Sequence, residues 1–360
     1  MHVKKEEIIA MSEPTTENTV ETIDIRGAVT HLLEGIERER EREIISRRFG
    51  LYDRKETLEQ IGELLGITRE RVRQLEKAIL IRLKIHAEEG QEDIARVEKE
   101  LIKHLSEMGR VARVKDLSTK IKPAADARDH AHIAFVSELA PHLSVVDEND
   151  NYHQSVGLKE YHDEPKMKKH VDTVVSTIKE HGEPLTIDQL HAKLDFEHPS
   201  HVQALASASK HIAHLKDKWG LTKWPTVNPK NIRDKIYAIL SDNGKPMHFS
   251  KVAESIKNSD FKRRDVTQQA IHNELIKDSR FILIGRGIYA LKEWGYNSGT
   301  VADIITEILK KEGPLHRDEI VRKVLKKRQV KETTILLNLQ GKPQFKRVAR
   351  ATYGLAEDKK

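Results

Sequence analysis

Apolar residues recur every three or four positions over most of the chain, which predicts a mainly α-helical protein. The periodic pattern starts near Ile25, and the polar stretch 1–25 is expected to be a disordered arm. A charged helix with a narrow apolar stripe follows, up to Phe49. Further on, four passages of similar layout are recognisable, at 92–160, 167–228, 231–296 and 300–358.

The four passages share one order of elements, which indicates an internal repeat. Each begins with an amphipathic helix and continues through a Gly-containing turn and a short apolar run into a second helix. An offset that recurs four times is stronger evidence of repetition than one match. The offset is counted from one position in each turn: Val111, Pro184, Pro246 and Pro314. Six positions later, each passage has an apolar residue: Leu117, Leu190, Val252 and Ile320.

The last two passages end in a β-like segment with an aromatic residue two positions before a leucine. In 281–291, apolar residues flank Gly285-Arg-Gly287, which predicts a β-hairpin, and 345–355 repeats the pattern around Tyr353. Three helices closed by a hairpin form the winged-helix plan. We therefore predict a helix-turn-helix followed by up to four tandem winged-helix-like modules with short hairpin wings, although the wings of the first two passages are poorly defined.

The helix-turn-helix is predicted within a domain covering 26–88. Apolar residues of 58–65 fall on one face of a short helix. Gly66 ends this helix in a tight turn, and the Thr68 hydroxyl caps a second helix over about 69–83.

The outer face of the second helix is basic, with six basic residues against two acidic ones between Thr68 and Lys84. The first two turns of such a helix enter the major groove, where Arg fits guanine, Gln fits adenine and Glu can accept from cytosine. An ordinary solvated face of a charged helical hairpin is the alternative interpretation. We expect base reading by Arg69, Glu70, Arg73 and Gln74. Phosphate contacts are expected from Thr68, Arg71, Lys77 and Arg82.

This segment resembles region 4 of the primary bacterial sigma factors. The resemblance is carried by Glu41-Arg-Glu-Ile-Ile-Ser-Arg-Arg-Phe-Gly-Leu51, Glu56-Thr-Leu-Glu-Gln-Ile-Gly62 and Gly66-Ile-Thr-Arg-Glu-Arg-Val-Arg-Gln-Leu-Glu76. It implies recognition of the −35 promoter element. The positions that match the base-contacting residues of the family are Arg69, Glu70 and Gln74, and those near the backbone are Arg71 and Arg73.

The same resemblance implies that the preceding helices dock on the flap of the RNA polymerase β subunit. Ile44, Ile45 and Phe49 would border that surface, unless they are simply core residues. About 35 residues precede the match, and they contain no aromatic residue for stacking on flipped-out bases. We therefore do not expect a sigma factor that initiates transcription alone.

The third passage, 231–296, resembles the HARE helix-turn-helix, a winged-helix domain that also occurs in the δ subunit of RNA polymerase. The resemblance is carried by Gly244-Lys-Pro-Met-His-Phe-Ser-Lys-Val-Ala-Glu-Ser-Ile256, Ala270-Ile-His-Asn-Glu-Leu-Ile276, Phe281-Ile-Leu-Ile-Gly-Arg-Gly-Ile-Tyr-Ala-Leu291 and Trp294-Gly-Tyr296. A groove-facing helix over 265–277 is expected, with Arg286 at the wing tip. Either DNA or polymerase could be contacted by Lys262, Arg263, Arg264 and Arg286.

Composition limits the remaining possibilities. The 360 residues are 38% hydrophobic, 33% charged and 5% aromatic, which suits several small helical modules better than one large globule. A net charge of +6 is compatible with polyanion binding. The absence of cysteine excludes disulfides and thiolate metal sites. Without an apolar run long enough for a membrane or a secretory signal, we expect a cytoplasmic, nucleoid-associated protein with no membrane partner.

No motif points to catalysis. The 19 histidines include pairs at helical spacing, but no third metal ligand is marked, so neither a metal nor another cofactor is expected. Phosphate-loop and nucleophile-elbow motifs are lacking, so no small-molecule substrate is expected. We predict a regulator of transcription initiation that binds double-stranded DNA and RNA polymerase. The alternative is a δ-like polymerase accessory subunit docked on the flap, and a third class, part of a nucleic-acid-modifying enzyme, lacks a visible catalytic domain.

Overall fold

A computed structural model describes residues 23–261, 265–296, 299–328 and 330–356 of the chain. This part contains sixteen α-helices and twelve short strands, which confirms the mainly α-helical fold. Apart from its last three residues, the arm predicted at 1–25 lies outside the described residues. None of the described helices combines the length and the apolar character that a membrane crossing requires.

The chain divides into two compact units, and the first runs to residue 145 and takes in 155–164. Its helices are α1 (Ile25–Glu34), α2 (Glu39–Phe49), α3 (Leu58–Leu65), α4 (Arg69–Glu88), α5 (Glu92–Glu107), α6 (Val114–Ile121) and α7 (Ala127–Leu139). Its strands are β1 (Val111–Arg113), β2 (Leu143–Val146) and β3 (Ser155–Leu158).

One hydrophobic core runs through this first unit, from α1 to β3. Helix α4 is five residues longer than the predicted 69–83, because Ala87 is also buried in this core. Helix α1 is tied to α7 by Arg26, whose guanidinium donates to the carboxylates of Asp126 and Asp129 at 2.6 Å each. The helix-turn-helix domain and the first repeat passage are thus packed together rather than separated.

The second unit holds the other three passages. Its helices are α8 (Glu164–His181), α9 (Ile187–His191), α10 (Pro199–Ala208), α11 (Ile232–Asn243), α12 (Phe249–Lys257), α13 (Gln268–Lys277), α14 (Val301–Glu312), α15 (Arg317–Lys327) and α16 (Glu332–Gly341), with a 3₁₀ turn at Lys292–Trp294. Its strands are β4 (Leu185–Thr186), β5 (Ile212–Leu215), β6 (Lys218–Leu221), β7 (Met247–His248), β8 (Phe281–Gly285), β9 (Ile288–Leu291), β10 (Leu315–His316), β11 (Phe345–Ala349) and β12 (Thr352–Leu355).

The described strands form four small sheets of one topology. In each sheet the third strand lies between the first and the second, as in β1-β3-β2 and β7-β9-β8. The short first strand is the apolar run that follows each Gly-containing turn. The four passages also agree in their cores, since all four apolar residues at the common offset are fully buried: Leu117, Leu190, Val252 and Ile320.

The β-hairpins of the first two passages, predicted as wings, are better formed than the sequence indicated. Strands β2 and β3 are neighbours in one sheet, and β5 pairs with β6 through the register Leu215↔Lys218. A signal was present in Val156-Gly-Leu158 and Trp219-Gly-Leu221, which repeat the Tyr-Ala-Leu pattern of the third wing. What these two passages lack is a glycine in the segment that joins the two strands, such as Gly285-Arg-Gly287 supplies in the third passage.

The hairpins that end the third and fourth passages, predicted as the third and fourth wings, have the same register, offset by 64 positions. The pairs Phe281↔Leu291 and Gly285↔Ile288 correspond to Phe345↔Leu355 and Ala349↔Thr352. At the tip, however, the left-handed conformation is adopted by a glycine in the third wing and by Ala351, with φ of 55°, in the fourth.

We expect Ala351→Gly to stabilise the protein by about 0.5–1 kcal/mol, because glycine adopts positive φ without the steric cost of Cβ. Thermal or denaturant unfolding would measure the change. Gly287→Ala is the matched reverse substitution, and it should destabilise the protein, since the new Cβ would lie 2.5 Å from His248 Nε2. If Ala351→Gly instead lowered the stability, the positive φ of Ala351 would not be a source of strain.

Candidate nucleic-acid interface

Helices α2, α3 and α4 enclose a small apolar centre that fixes their relative orientation. Ile44, Ile61 and Val72, one from each helix, are fully buried there. Partly buried residues of α3, its following turn and α4 pack around them. The second helix of the pair is therefore held by its apolar side while its polar side faces solvent.

Hydrogen bonds at the helix ends set the turn between α3 and α4. The Thr57 hydroxyl accepts from the Gln60 amide and the Gln60 side chain accepts from the Thr57 amide, which forms a capping box at the start of α3. Gly66 ends α3 in the left-handed conformation with φ of 64°. The Thr68 hydroxyl accepts from the Arg71 amide at 3.2 Å, so its predicted role as N-cap of α4 is confirmed.

The four residues predicted to read bases are brought together on the exposed side of α4. Arg69, Glu70, Arg73 and Gln74 are all solvent-exposed in its first two turns. Arg73 donates twice to the Glu70 carboxylate, from Nη2 at 2.7 Å and from Nε at 2.8 Å. The side-chain amide of Gln74 donates to Glu70 Oε1 at 3.3 Å. The polar groups thus form one network around a central carboxylate.

Glu70 is ionised throughout the range in which proteins are normally handled. The hydrogen bonds from Arg73 lower the pKa of the Glu70 carboxyl to about 2, and Gln74 and the charge of Arg69 act in the same direction. An ionised carboxylate only accepts hydrogen bonds. Towards a base edge, Glu70 can therefore face an amine but not a carbonyl.

The residues predicted to contact phosphates differ in whether their side chains are exposed or already engaged within the protein. Arg71 and Lys77 are exposed, and Arg71 Nη1 lies 3.4 Å from Gln74 Oε1. The Thr68 hydroxyl serves the helix cap. Arg82 forms an ion pair with Glu41 of α2, whose side chain is buried, so its guanidinium already holds two helices together.

Two of the three residues that would border a polymerase-docking surface are core residues. Ile44 and Ile45 are fully buried. Phe49 is partly buried, and its ring packs edge-on against Phe135 of α7 with 4.9 Å between ring centroids. Of the two interpretations of Ile44 and Ile45, a border of the docking surface or simple core, the structure favours core, since Ile45 packs in the core of the first unit and Ile44 packs against α3 and α4.

In the third module, the predicted groove-facing helix begins later than expected, and Arg286 lies where the hairpin tip was predicted. Helix α13 begins at Gln268 rather than Asp265, because the Thr267 hydroxyl caps it by accepting from the Ala270 amide. Arg286 is exposed at the tip of the β8–β9 hairpin. The other predicted contact residues, Lys262, Arg263 and Arg264, lie outside the described residues.

The histidine-rich middle of the chain offers no cluster of ligands in the described residues. No group of three or more His, Asp or Glu side chains there is arranged to hold a metal ion. The His198 and His201 rings lie 6.3 Å apart between centroids, and His214 stacks on Trp219. These contacts are packing interactions around α10 and the second wing.

Comparison with known proteins bears out the resemblance at the helix-turn-helix. Residues 38–84 match the family described as Sigma-70, region 4. RNA polymerase sigma factor sigB of Arabidopsis thaliana is 36% identical over 85 residues, which is 23% of this chain and 15% of that protein. The shared stretch is thus a small part of the relative. The chain contains a sigma region 4 helix-turn-helix, and the resemblance of the third passage to the HARE domain stays a prediction.

Proposed function

We propose that this protein is a transcription regulator in which α4 reads a −35-type promoter element in the major groove. The observation that carries the proposal is the exposed set of Arg69, Glu70, Arg73 and Gln74, the last three joined by hydrogen bonds, in the first two turns of a helix whose other side is anchored. Side chains of these types match the donor and acceptor patterns of base edges. The sigma region 4 match over 38–84 supports the same ligand.

The downstream modules are proposed to be winged helices that add contacts with DNA or polymerase. Their sheet topology and internal repeat support this proposal. Modules linked in one chain raise the effective concentration of each other's binding sites, so weak contacts add to affinity.

The burial of Ile44 and Ile45 in the first unit argues against the alternative, an accessory subunit docked on the polymerase flap. Docking through Ile44 or Ile45 requires them to be accessible, and both are fully buried. Phe49 is engaged with Phe135. A polymerase contact through another surface of the chain remains compatible with the regulator that we propose.

The first test is a pair of substitutions on the reading helix. We expect Arg69→Ala and Gln74→Ala each to weaken binding to a duplex carrying the −35-type element by about 1–3 kcal/mol, because a bidentate pair with a base edge is lost. Affinity for unrelated duplexes should change much less. Binding of both duplexes by anisotropy at physiological salt would measure the difference.

Lys77→Ala is the matched control, since Lys77 is exposed on the same helix and is expected to contact phosphate, whereas Arg71 lies 3.4 Å from the base-reading Gln74. It should weaken both duplexes by the same factor. Equal affinity of the unaltered protein for the element and for random duplexes would overturn the proposal. Co-purification with polymerase that survives all three substitutions, with no sequence preference, would favour the accessory subunit instead.

A further inference from the structure

The positive charge of this protein is concentrated in its last module. Residues 300–356 contain 13 Lys and Arg against six Asp and Glu, a net charge of +7, whereas the whole chain carries +6. The rest of the chain therefore has almost no net charge. If the net positive charge reflects an anionic partner, the fourth module is the strongest candidate for its site.

Much of the basic character on the helices of this module is locally neutralised. Lys323 of α15 pairs with Glu312 of α14 at 2.8 Å. Lys327 pairs with Glu307 at 3.2 Å, and Arg322 lies 3.5 Å from Glu319. These side chains are held in surface ion pairs, which lowers the field they present to a ligand.

The segment that follows is different, because 333–356 contains four basic residues and no acidic one. All four are exposed: Lys342, Lys346, Arg347 and Arg350. Helix α16 itself contains no basic residue, and its most exposed large side chain is Leu337, at 68%. The Asp303 carboxylate of α14 is close enough to Lys342 to interact with it electrostatically. The positive surface is thus a property of the hairpin β11–β12 rather than of the helix before it.

Two arginines lie at one end of this hairpin. Arg350 and Ala351 form the turn between β11 and β12, and Arg347 is paired across the strands with Tyr353. Arg347 Nε donates to the Ala349 carbonyl at 3.2 Å, which holds the side chain towards the tip. In the described part of this module neither arginine forms an ion pair with a carboxylate. Arg350 also occupies the position that Arg286 has in the third wing.

We propose that Arg347 and Arg350 form a phosphate-binding site with which the fourth wing holds duplex DNA independently of sequence. A guanidinium binds phosphate oxygens through two parallel hydrogen bonds, and two of them at a protruding hairpin can reach one backbone. Single-stranded nucleic acid is a poorer fit, because stacking needs exposed aromatic rings. In this hairpin, Phe345 is buried and Tyr353 is partly buried.

This inference rests on the proposed function, since the duplex is the one that α4 is proposed to read. Helix α4 and the fourth wing then have different roles in binding. The reading helix supplies sequence preference, and the wing supplies affinity that depends on salt but not on sequence.

The test uses the full chain and the double variant Arg347→Gln/Arg350→Gln. We expect weaker binding to element-bearing and random duplexes by the same factor, on the order of tenfold at 50 mM salt. The slope of log affinity against log salt should fall by about 1.8, because two phosphate contacts are lost. The gap between the variant and the unaltered protein should therefore shrink about tenfold between 50 and 200 mM salt.

Lys310→Gln/Lys311→Gln is the matched control, because it removes the same charge from exposed positions of α14 in the same module. It should leave the salt slope nearly unchanged. Equal effects of the two double variants would overturn the inference, as would an unchanged slope in the arginine variant. A loss confined to single-stranded DNA or RNA would overturn it too.

The two proposals fail in different ways. If the unaltered protein binds all duplexes equally and the arginine variant lowers the salt slope, the phosphate site stands and promoter reading is wrong. If sequence preference is present and the arginine variant binds as tightly as the unaltered protein at every salt concentration, promoter reading stands and the phosphate site is wrong. Absence of any duplex binding would overturn both.

Discussion

Replacing Phe135 by alanine should destabilise the first unit by about 3–5 kcal/mol, the range for truncating a buried aromatic ring. The side chain is fully buried and packs against Phe49 of α2 in the core that runs from α1 to β3. The cavity would open between the helix-turn-helix and the first repeat module. We therefore expect both to lose stability together, although Phe135 lies far in sequence from the residues that we propose to read DNA.

Chemical denaturation would measure the loss, and hydrogen exchange of α4 and α7 amides would show whether it is shared. Tyr52→Ala is a suitable control, because Tyr52 is 56% exposed and its truncation should change stability by less than about 0.5 kcal/mol. If α7 amides lose protection while α4 amides keep theirs, the two parts are not one cooperative unit and the shared core is energetically unimportant.

A shared core has a consequence for how the reading helix is positioned. Helix α4 is anchored by α2 and α3 near its start and by α7 farther along, since Lys84 also pairs with Glu138 of α7 at 2.6 Å. A long helix held over two separate stretches tilts less than one held at a single contact. The first module would then support the base reading that we propose for α4.

The sequence was sufficient for the parts of the fold that depend on local chemistry. Helix periodicity, Gly66 and the Thr68 cap predicted the helix-turn-helix, because each acts within one or two turns of chain. The exposed side of α4 followed from the same periodicity. The third and fourth wings could also be predicted, since apolar strands flank a tight turn in each.

Long-range packing could not be predicted in the same way. Phe135 lies in a helix that is buried on nearly all sides, so no polar face marks its contact surface. The ion pair between Arg82 and Glu41 joins positions 41 residues apart, and basic character alone suggested a phosphate contact. The bond from Arg26 to Asp129 spans 103 positions. Such partners are set by tertiary structure, which a single sequence does not reveal.

The other large effect is expected at Gly62, inside α3. A Cβ at this position would lie 2.7 Å from the carbonyl oxygen of Ile67 and 3.4 Å from the Arg69 amide. These are backbone atoms of the turn and of the start of α4, so no side-chain rotation can relieve the contact. Gly62→Val should therefore force α3 and α4 apart at a cost of about 3 kcal/mol, near the upper end for overpacking.

If α4 reads DNA as we propose, displacing it should abolish sequence preference, a larger effect than the loss of any one reading side chain. Urea unfolding and duplex binding would measure the two consequences. Gly66→Asn is the control, because it replaces a glycine at the end of the same helix without a steric clash. Nothing lies within 4 Å of a Cβ at Gly66, and asparagine tolerates positive φ. We expect Gly66→Asn to keep sequence preference. Full stability and unchanged discrimination in Gly62→Val would mean that the close approach of the two helices does not position α4.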